Sequence, residues 1–191
     1  FIYEASRRAL EFGAPLPDVA LANGGGIRND SVIDPGDITE LDTFDMLPFS
    51  NFLVVIPDIP RSQFKEIMEN AVSRVEFTDG RFAQIAGFTM VYDANGAAQV
   101  LNPDGTVATA GQRVQTIMLD DGTMIVDNGM VVDGDPINIA TVDFLARGGD
   151  QYPYRDAPFT ILGVSYQQAL ASYITEGLEG VITEADYPEG G

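Results

Sequence analysis

The amino-acid sequence predicts an α+β fold, in which helices are layered on a mixed sheet in an α/β/α arrangement. Three observations predict it. Apolar residues recur at helical spacing in residues 64–72, β-branched apolar runs elsewhere are typical of strands, and residues 82–142 alternate short apolar stretches with turn dipeptides. Helices packed on a sheet with a strong antiparallel component account for all three patterns.

Four helices are predicted. The first covers residues 1–12, and the second begins at Thr39, a helix cap with Asp42 as its capping-box partner. The third begins at Pro60, and the fourth covers Leu162–Glu176. The third helix has one apolar face, formed by Phe64, Ile67, Met68, Ala71 and Val72.

Strands are predicted at residues 18–22 and Asn51–Ile56, where apolar residues run consecutively. Another covers Gln84–Phe88 and contains Gly87, a residue that lets two backbones approach closely. The whole region from Phe82 to Val142 predicts a series of hairpins. Their turns are expected at Asn95-Gly96, Asp104-Gly105, Asp121-Gly122 and Asn128-Gly129.

Composition limits the possible functions. The 191 residues, of which 45% are hydrophobic, favour a single globular domain, residues 1–191. The net charge of −19 argues against nucleic acid and anionic membranes as partners, and no apolar run is long enough for membrane insertion. The sequence has no cysteine and no histidine, which excludes disulfides, Ser-His-Asp triads and most transition-metal sites. We therefore assign neither catalytic residues nor metal ligands to this chain.

Residues 23–28, with the sequence NGGGIR, form the most informative segment. Three consecutive glycines are unfavourable in any regular element, but they allow the backbone to approach another group closely. Arg28 follows them with a planar guanidinium suited to phosphate or carboxylate. A strand that leads into such a loop favours an anionic ligand, although a flexible surface loop with an incidental arginine accounts for the segment equally well.

Three further segments accompany the glycine loop: Leu47–Asn51, Gln84–Phe88 and Asp143–Asp150. In order and content, the four together resemble the C-terminal domain of the 5′-nucleotidase family, which includes UDP-sugar hydrolases and 2′,3′-cyclic phosphodiesterases. The resemblance implies a two-domain parent, whose N-terminal metallophosphoesterase domain holds two divalent metal ions and lies outside this chain. It also implies that this domain binds the nucleotide, that the parent is a phosphoric ester hydrolase, and that it is periplasmic, cell-surface or secreted. Phe1-Ile2-Tyr3-Glu4 is typical of the middle of a helix, so we expect the chain to begin inside a larger protein.

The resemblance also implies roles for particular residues. Phe49 and Phe144 match two aromatic residues that enclose the nucleobase, and Arg28 matches an arginine near the ribose and phosphate. Asp150 matches an acid that accepts hydrogen bonds from ribose hydroxyls. The predicted substrate-binding residues are Asn23, Gly25, Gly26, Arg28, Phe49, Asn51, Phe144 and Asp150. Asn23 and Asn51 are expected near the edge of the base.

Other interpretations of these residues stay open at this point. The two phenylalanines fit ordinary core positions, Asp150 fits a turn or cap, and Asn51 fits a turn amide. Asp143, Arg147, Gln151 and an inserted hairpin at residues 97–110 depart from the family pattern, which leaves the substrate uncertain. Two alternative functions follow: a non-enzymatic acidic surface or binding module, and a thiosulfohydrolase-like relative whose ligand is not a nucleotide.

Overall fold

The computed structural model describes residues 1–28 and 32–185. Its helices are α1 (Ile2–Ser6), α2 (Glu40–Met46), α3 (Arg61–Ala71), α4 (Asp143–Ala146) and α5 (Tyr166–Ser172). Its strands are β1 (Val19–Asn23), β2 (Phe52–Ile59), β3 (Ala83–Ala86), β4 (Phe88–Tyr92), β5 (Val100–Leu101), β6 (Val107–Thr109), β7 (Val114–Leu119), β8 (Met124–Asp127), β9 (Met130–Val131), β10 (Ile137–Val142) and β11 (Thr160–Ser165). This mixture of helices and strands confirms the α+β prediction.

A five-stranded sheet lies at the centre of the fold, in the order β11-β2-β10-β1-β3. β1 and β10 are parallel, with Val19 opposite Ile139, and every other neighbouring pair is antiparallel. All five residues of β1 are buried, and so are the four consecutive residues 53–56 of β2. Because successive side chains in a strand point to opposite faces, such runs show that both faces of the sheet are covered.

Helices supply much of that cover. α1 contacts β1, β2 and β10 and also packs on α5, which in turn contacts α2. α3 contacts β7 and β9, and the Phe64 ring of α3 meets the Phe88 ring of β4 edge-on, at 5.4 Å between centroids. The predicted apolar face of α3 is confirmed, since Phe64, Ile67, Met68, Ala71 and Val72 are all buried. No helix among the described residues is long and apolar enough to cross a membrane.

A second, four-stranded sheet follows the order β4-β7-β8-β9, and β5 and β6 form a separate hairpin within the predicted 97–110 insertion. The predicted turns at Asp121-Gly122 and Asn128-Gly129 join β7 to β8 and β8 to β9. Both Asn128 and Gly129 have positive φ, as a tight hairpin turn of this kind requires. Asn95-Gly96 also turns the chain, but it does not join two paired strands, because β4 pairs with β7.

The hairpin prediction is wrong at both ends of residues 82–142. β3 pairs with β1, and β10 lies between β1 and β2 in the central sheet. The reason is burial: Ile139–Val142 are buried throughout, which a one-sided hairpin sheet does not provide. Turn signals describe the local chain and carry no information about a partner strand that is far away in sequence.

Two helix predictions also need correction. Residues 160–165 form a strand paired with β2, so the helix predicted from Leu162 begins only at Tyr166, where Ser165 forms a capping box with Gln168. The helix predicted over residues 1–12 is broken into α1 and a short 3-10 turn, Ala9–Phe12, which Gly13 ends at φ 74°. The capping box predicted for Thr39 and Asp42 is confirmed.

Candidate functional site

A cavity of about 430 Å³ opens at one edge of the central sheet. Its lining residues are Asn23, Gly25, Gly26, Arg28, Phe49, Asn51, Gly80, Phe144 and Asp150. All eight residues predicted to bind substrate therefore lie around one cavity, within the usual size range for small-molecule sites. Their role in binding stays a prediction. Gly80 was missed, although the turn signal Asp79-Gly80 could have drawn attention to it.

Strand direction explains why these distant residues meet. β1 ends at Asn23 and the parallel β10 ends just before α4, so both strands deliver their following residues to the same edge. β2 is antiparallel to β10, with Leu53 opposite Val142, so the segment that carries Phe49 and Asn51 precedes β2 at that edge. β3 pairs Ala83 with Asn23, which brings in the loop with Gly80.

The glycine loop packs against the Gly80 loop. Gly24–Gly26 form one 3-10 turn, and none of the three has a positive φ. The Gly25 N–H donates to the Gly80 carbonyl at 2.7 Å, and a Cβ on Gly25 would lie 3.1 Å from Gly80 Cα. The predicted close approach therefore exists, and it is made between two backbones that together form one wall of the cavity.

Two phenyl rings border the cavity from separate segments. Phe49 is 43% exposed and Phe144 is 41% exposed, so the interpretation of both as ordinary core aromatics is wrong. The Phe144 ring lies directly against Gly149, where a Cβ would come within 2.5 Å of the ring atoms Cε1 and Cζ. Gly149 thus provides the space in which the ring is held.

The polar part of the lining centres on Asp150. Asn23 is 5% exposed, and its Nδ2 donates to Asp150 Oδ2 at 2.6 Å. Asn51 is held through its backbone, because its N–H donates to the Phe49 carbonyl and its own carbonyl accepts from Tyr166. The Asn23 amide therefore fixes one oxygen of the Asp150 carboxylate, and its Nδ2 atom is already engaged within the protein.

Arg28 differs in its contacts from the other cations of the chain. Eight of the ten Lys and Arg residues form an ion pair with another described residue: Arg7, Arg8, Lys65, Arg74, Arg81, Arg113, Arg147 and Arg155. A ninth, Arg61, donates to backbone carbonyls. The Arg28 guanidinium has no carboxylate partner within residues 1–28 and 32–185, and it lies over the Phe49 ring at 5.1 Å from the centroid. Among the described residues, the contact printed for the Arg28 guanidinium is therefore with an aromatic ring and not with a carboxylate.

The residues that depart from the family pattern lie outside the cavity lining. Asp143 accepts from the Phe52 N–H at 3.0 Å, and Arg147 lies over the Phe159 ring at 5.0 Å. Arg147 and the β5–β6 turn border a separate hollow of about 300 Å³. Gln151 accepts a hydrogen bond from Arg81 behind the Asp150 loop.

Acidic side chains are the charged metal ligands that this chain can offer. Within residues 1–28 and 32–185, no group of three or more Asp or Glu side chains is placed to hold a metal ion, and the sequence has no histidine or cysteine. Residues 1–28 and 32–185 therefore contain no three-acid ligand group of the kind that a divalent metal ion needs. The prediction of a metal centre in another part of the protein is left as a prediction.

The chain is an α+β domain with a cavity at the ends of its central strands. A family model described as 5′-nucleotidase, C-terminal domain, matches residues 1–156. The chain is 33% identical over 134 residues to the trifunctional nucleotide phosphoesterase protein YfkN of Bacillus subtilis, and 32% identical over 145 residues to a probable 5′-nucleotidase of Treponema pallidum. These matches cover 70% and 74% of this chain, but only 8% and 21% of the two relatives. The chain belongs to the family of 5′-nucleotidase C-terminal domains.

Solved structures agree with this assignment. A 5′-nucleotidase precursor of Thermus thermophilus matches with a TM-score of 0.69 at 27% identity, over 92% of this chain and 31% of that one. The NAD nucleotidase of Haemophilus influenzae matches with a TM-score of 0.54 at 24% identity, over 80% of this chain and 24% of that one, which supports the fold alone. The family resemblance and the fold predicted from the sequence are therefore confirmed.

Proposed function

We propose that this chain is the nucleoside-binding domain of a two-domain, metal-dependent nucleotide phosphohydrolase of the 5′-nucleotidase type. The observation that carries the proposal is the meeting, around one cavity, of two exposed phenyl rings and an arginine with no carboxylate partner in the described part of the chain. Rings suit the flat faces of a base, and the guanidinium suits a phosphate. The nucleotide names of the relatives support the same ligand class.

Each cavity residue has a distinct task in this proposal. Phe49 and Phe144 stack on the base, and each stack contributes about 1–3 kcal/mol with little dependence on base identity. Arg28 contacts the ribose and phosphate end, and the Asp150 carboxylate accepts from ribose hydroxyls. Asn51 contacts the edge of the base, whereas Asn23 keeps Asp150 oriented through the 2.6 Å hydrogen bond. Gly25 and Gly26 keep the wall beside the ligand free of side chains.

The reaction itself belongs to another part of the parent protein. We propose an N-terminal metallophosphoesterase domain as the partner, and periplasmic, cell-surface or secreted location for the parent. Two divalent metal ions bound there would supply a hydroxide and polarise the phosphoryl group. This chain contributes by holding the nucleoside so that the phosphate is presented to that centre, which is catalysis by positioning. A hinge motion between the two domains would bring them together.

Saturation-transfer NMR with adenosine tests the binding role. The 191-residue chain should give a ligand signal, with an affinity of about millimolar because few contacts must offset the entropy of association. Phe49→Ala and Phe144→Ala should each abolish the signal. Phe77→Ala is the matched control, since Phe77 is 69% exposed, also lies under an arginine, and is not part of the cavity lining.

The outcomes separate the candidate functions. Loss of the signal in both cavity variants but not in Phe77→Ala supports a nucleoside ligand. Absence of any signal from the unmutated chain contradicts it, and leaves the acidic binding module or a thiosulfohydrolase-like relative as the better description.

A second experiment tests the division of labour between the two domains. The chain alone should release no phosphate from AMP, with or without added Mg²⁺, Mn²⁺ or Zn²⁺, because its described residues provide no metal-binding group of three acids. Phosphate release above a no-protein blank, measured on the purified chain, would contradict this assignment.

A further inference from the structure

The backbone around Asp150 has an unusual conformation. Asp150 has φ 51° and ψ 26°, and Gln151 has φ 60°, so two consecutive non-glycine residues occupy the left-handed region. Side chains with a Cβ rarely adopt this region singly, and adjacent pairs need support from their surroundings. Two local backbone hydrogen bonds hold the turn, from the Gln151 N–H to the Gly148 carbonyl and from the Tyr152 N–H to the Gly149 carbonyl, both at 3.1 Å. Contacts from other segments add to them and help to set the direction of the Asp150 carboxylate.

Asn70 provides one such support from α3. Its side chain is buried at 2% exposure, and its Nδ2 donates to the Asp150 carbonyl at 3.2 Å. A buried amide of this kind is costly unless its donors and acceptor are used, so its contacts define one orientation. Asn70 does not belong to the cavity lining. Its hydrogen bond acts on the backbone of Asp150, and the carboxylate remains available to the cavity.

Arg81 connects Asn70 to the rest of the wall. Its Nη1 donates to Asn70 Oδ1 at 3.4 Å and to Gln151 Oε1 at 3.2 Å, and its Nε donates to Asp79 Oδ1 at 2.9 Å. The Arg81 side chain is only 13% exposed, and its carbonyl accepts from the Tyr152 hydroxyl at 2.7 Å. One planar guanidinium thus links α3, the Asp79-Gly80 loop and the left-handed pair.

We propose that Asn70 and Arg81 are positioning residues for Asp150. They hold the loop in its left-handed conformation so that, with Asn23 donating to Oδ2, the remaining carboxylate lone pairs face the cavity. The inference rests on the proposed function for the identity of the ligand group, a ribose diol. It goes beyond that function because it assigns the choice between ribose and deoxyribose ligands to residues that do not touch the ligand.

The test compares AMP with 2′,3′-dideoxyAMP, which has the same base and phosphate but lacks both ribose hydroxyls. Affinities are measured by NMR shift titration of the 191-residue chain. The unmutated chain should bind AMP about tenfold more tightly, because the dideoxy analogue leaves the Asp150 carboxylate without its donors. Asn70→Ala should reduce this ratio to about twofold by weakening AMP binding, while binding of the dideoxy ligand stays the same within about twofold.

Two further variants keep the test decisive. Asn70→Asp preserves volume and the acceptor for Arg81 but removes the Nδ2 donor, so it should lose the preference even if Asn70→Ala fails to fold. Gln99→Ala is the matched control. Gln99 is also a buried amide, at 7% exposure, and it donates to the Glu66 carbonyl of α3, the helix that carries Asn70. Gln99 does not belong to the cavity lining. Gln99→Ala should leave the preference unchanged.

The result that overturns the inference is a preference for AMP that survives both Asn70 variants, while Phe49→Ala still weakens both ligands. Failure of the proposed function has a different signature, namely that the unmutated chain binds neither ligand. A measurement without ligand then decides the inference alone. In the Asn70 variants, the Cα and Cβ chemical shifts of Asp150 and Gln151 should no longer be those of a left-handed backbone. Unchanged chemical shifts would overturn the inference.

Discussion

The cavity wall and the hairpin sheet use glycine in opposite ways. In the hairpins, Gly122 and Gly129 have φ of 89° and 76°, and a Cβ on Gly122 would meet nothing within 4 Å. In the cavity wall, Gly25 and Gly80 have no such φ, but a Cβ on either would lie within 3.1 Å of the other residue's Cα. The hairpin glycines allow a positive φ, whereas the wall glycines allow two chain segments to pack closely.

This difference separates local from non-local requirements. A turn glycine is needed by its own hairpin, so its replacement should affect stability and leave a distant site intact. A contact glycine is needed by another segment, so its replacement should move that segment. Turn glycines and contact glycines can be compared directly, because the chain contains both kinds, in one case at adjacent positions.

The largest expected effect comes from the adjacent pair Gly148 and Gly149. A Cβ on Gly149 would overlap the Phe144 ring, so Gly149→Ala should displace the ring and weaken AMP binding by about 10- to 100-fold, the value of one stack. Gly148 has φ 88° with its nearest contact at 4.0 Å, so Gly148→Ala should instead lower the free energy of unfolding by about 1–2 kcal/mol. NMR titration and urea unfolding measure the two. Equal loss of AMP affinity in both variants would contradict the distinction.

The next effect concerns Gly25 and Gly122. Gly25→Ala should push the Gly80 loop outward, lower the free energy of unfolding by about 1–3 kcal/mol and weaken AMP binding. Gly122→Ala should lower the free energy of unfolding by about 1 kcal/mol, because a φ of 89° is strained for alanine although a Cβ would meet no atom within 4 Å. It should leave AMP binding unchanged. If Gly25→Ala keeps full AMP affinity, the contact between the two loops does not shape the cavity.

A smaller effect distinguishes two arginine–phenylalanine contacts. Arg28 lies 5.1 Å from the Phe49 centroid in the cavity, and Arg74 lies 5.2 Å from the Phe77 centroid outside it. Each contact should contribute about 0.5–1 kcal/mol to stability in a double-mutant cycle. Only Arg28→Ala should also weaken AMP binding, by about five- to tenfold, because it would remove the proposed phosphate contact. An equal effect of Arg74→Ala on AMP binding would show that general charge, rather than the cavity position, is responsible.

The smallest expected effect is on pH dependence. Partial burial acts to raise the pKa of Asp79, but hydrogen bonds from the Arg81 backbone N–H and guanidinium, together with the charges of Arg81 and Arg74, outweigh it and lower that pKa. A lowered pKa contributes stability that is complete above the unfolded value of about 3.9 and is lost as pH falls through the folded value.

Asp79→Asn should therefore make the fall in unfolding free energy below about pH 4 less steep. The matched control is Asp121→Asn in the hairpin turn, where the hydrogen bond from the Thr123 backbone lowers the pKa of Asp121. Urea unfolding at several pH values measures both. Asp79 precedes the cavity residue Gly80, whereas Asp121 lies in a hairpin turn outside the cavity lining. Of the two variants, only Asp79→Asn should therefore also change AMP binding at neutral pH.

Several elements were predictable from short stretches of sequence. The capping box of Thr39 and Asp42 depends on residues three apart, and the apolar face of α3 depends on spacing within one helix. The Asn128-Gly129 turn follows from the preference of those two residues for positive φ. In each case the stabilising interaction lies within the same short segment.

The site was found through motif resemblance, and its internal arrangement was not predictable. That resemblance selected eight residues that the structure brings around one cavity. It did not indicate that Asn23 donates a hydrogen bond to Asp150, that Gly25 packs on Gly80, or that Asn70 donates to the Asp150 carbonyl. These contacts join segments that are remote in the chain, and single-residue preferences are compatible with many such pairings.

The sequence alone determined the acidic character of the chain, the absence of histidine and cysteine chemistry, and the elements whose caps, turns and periodicity are local. Tertiary structure decided the placement of β3 and β10 in the central sheet, the conversion of residues 162–165 to strand, and the convergence of Phe49 and Phe144. The physical reason is distance along the chain. Local preferences act over a few residues, whereas the Asn23–Asp150 hydrogen bond joins positions 127 apart and forms only when the whole sheet is assembled.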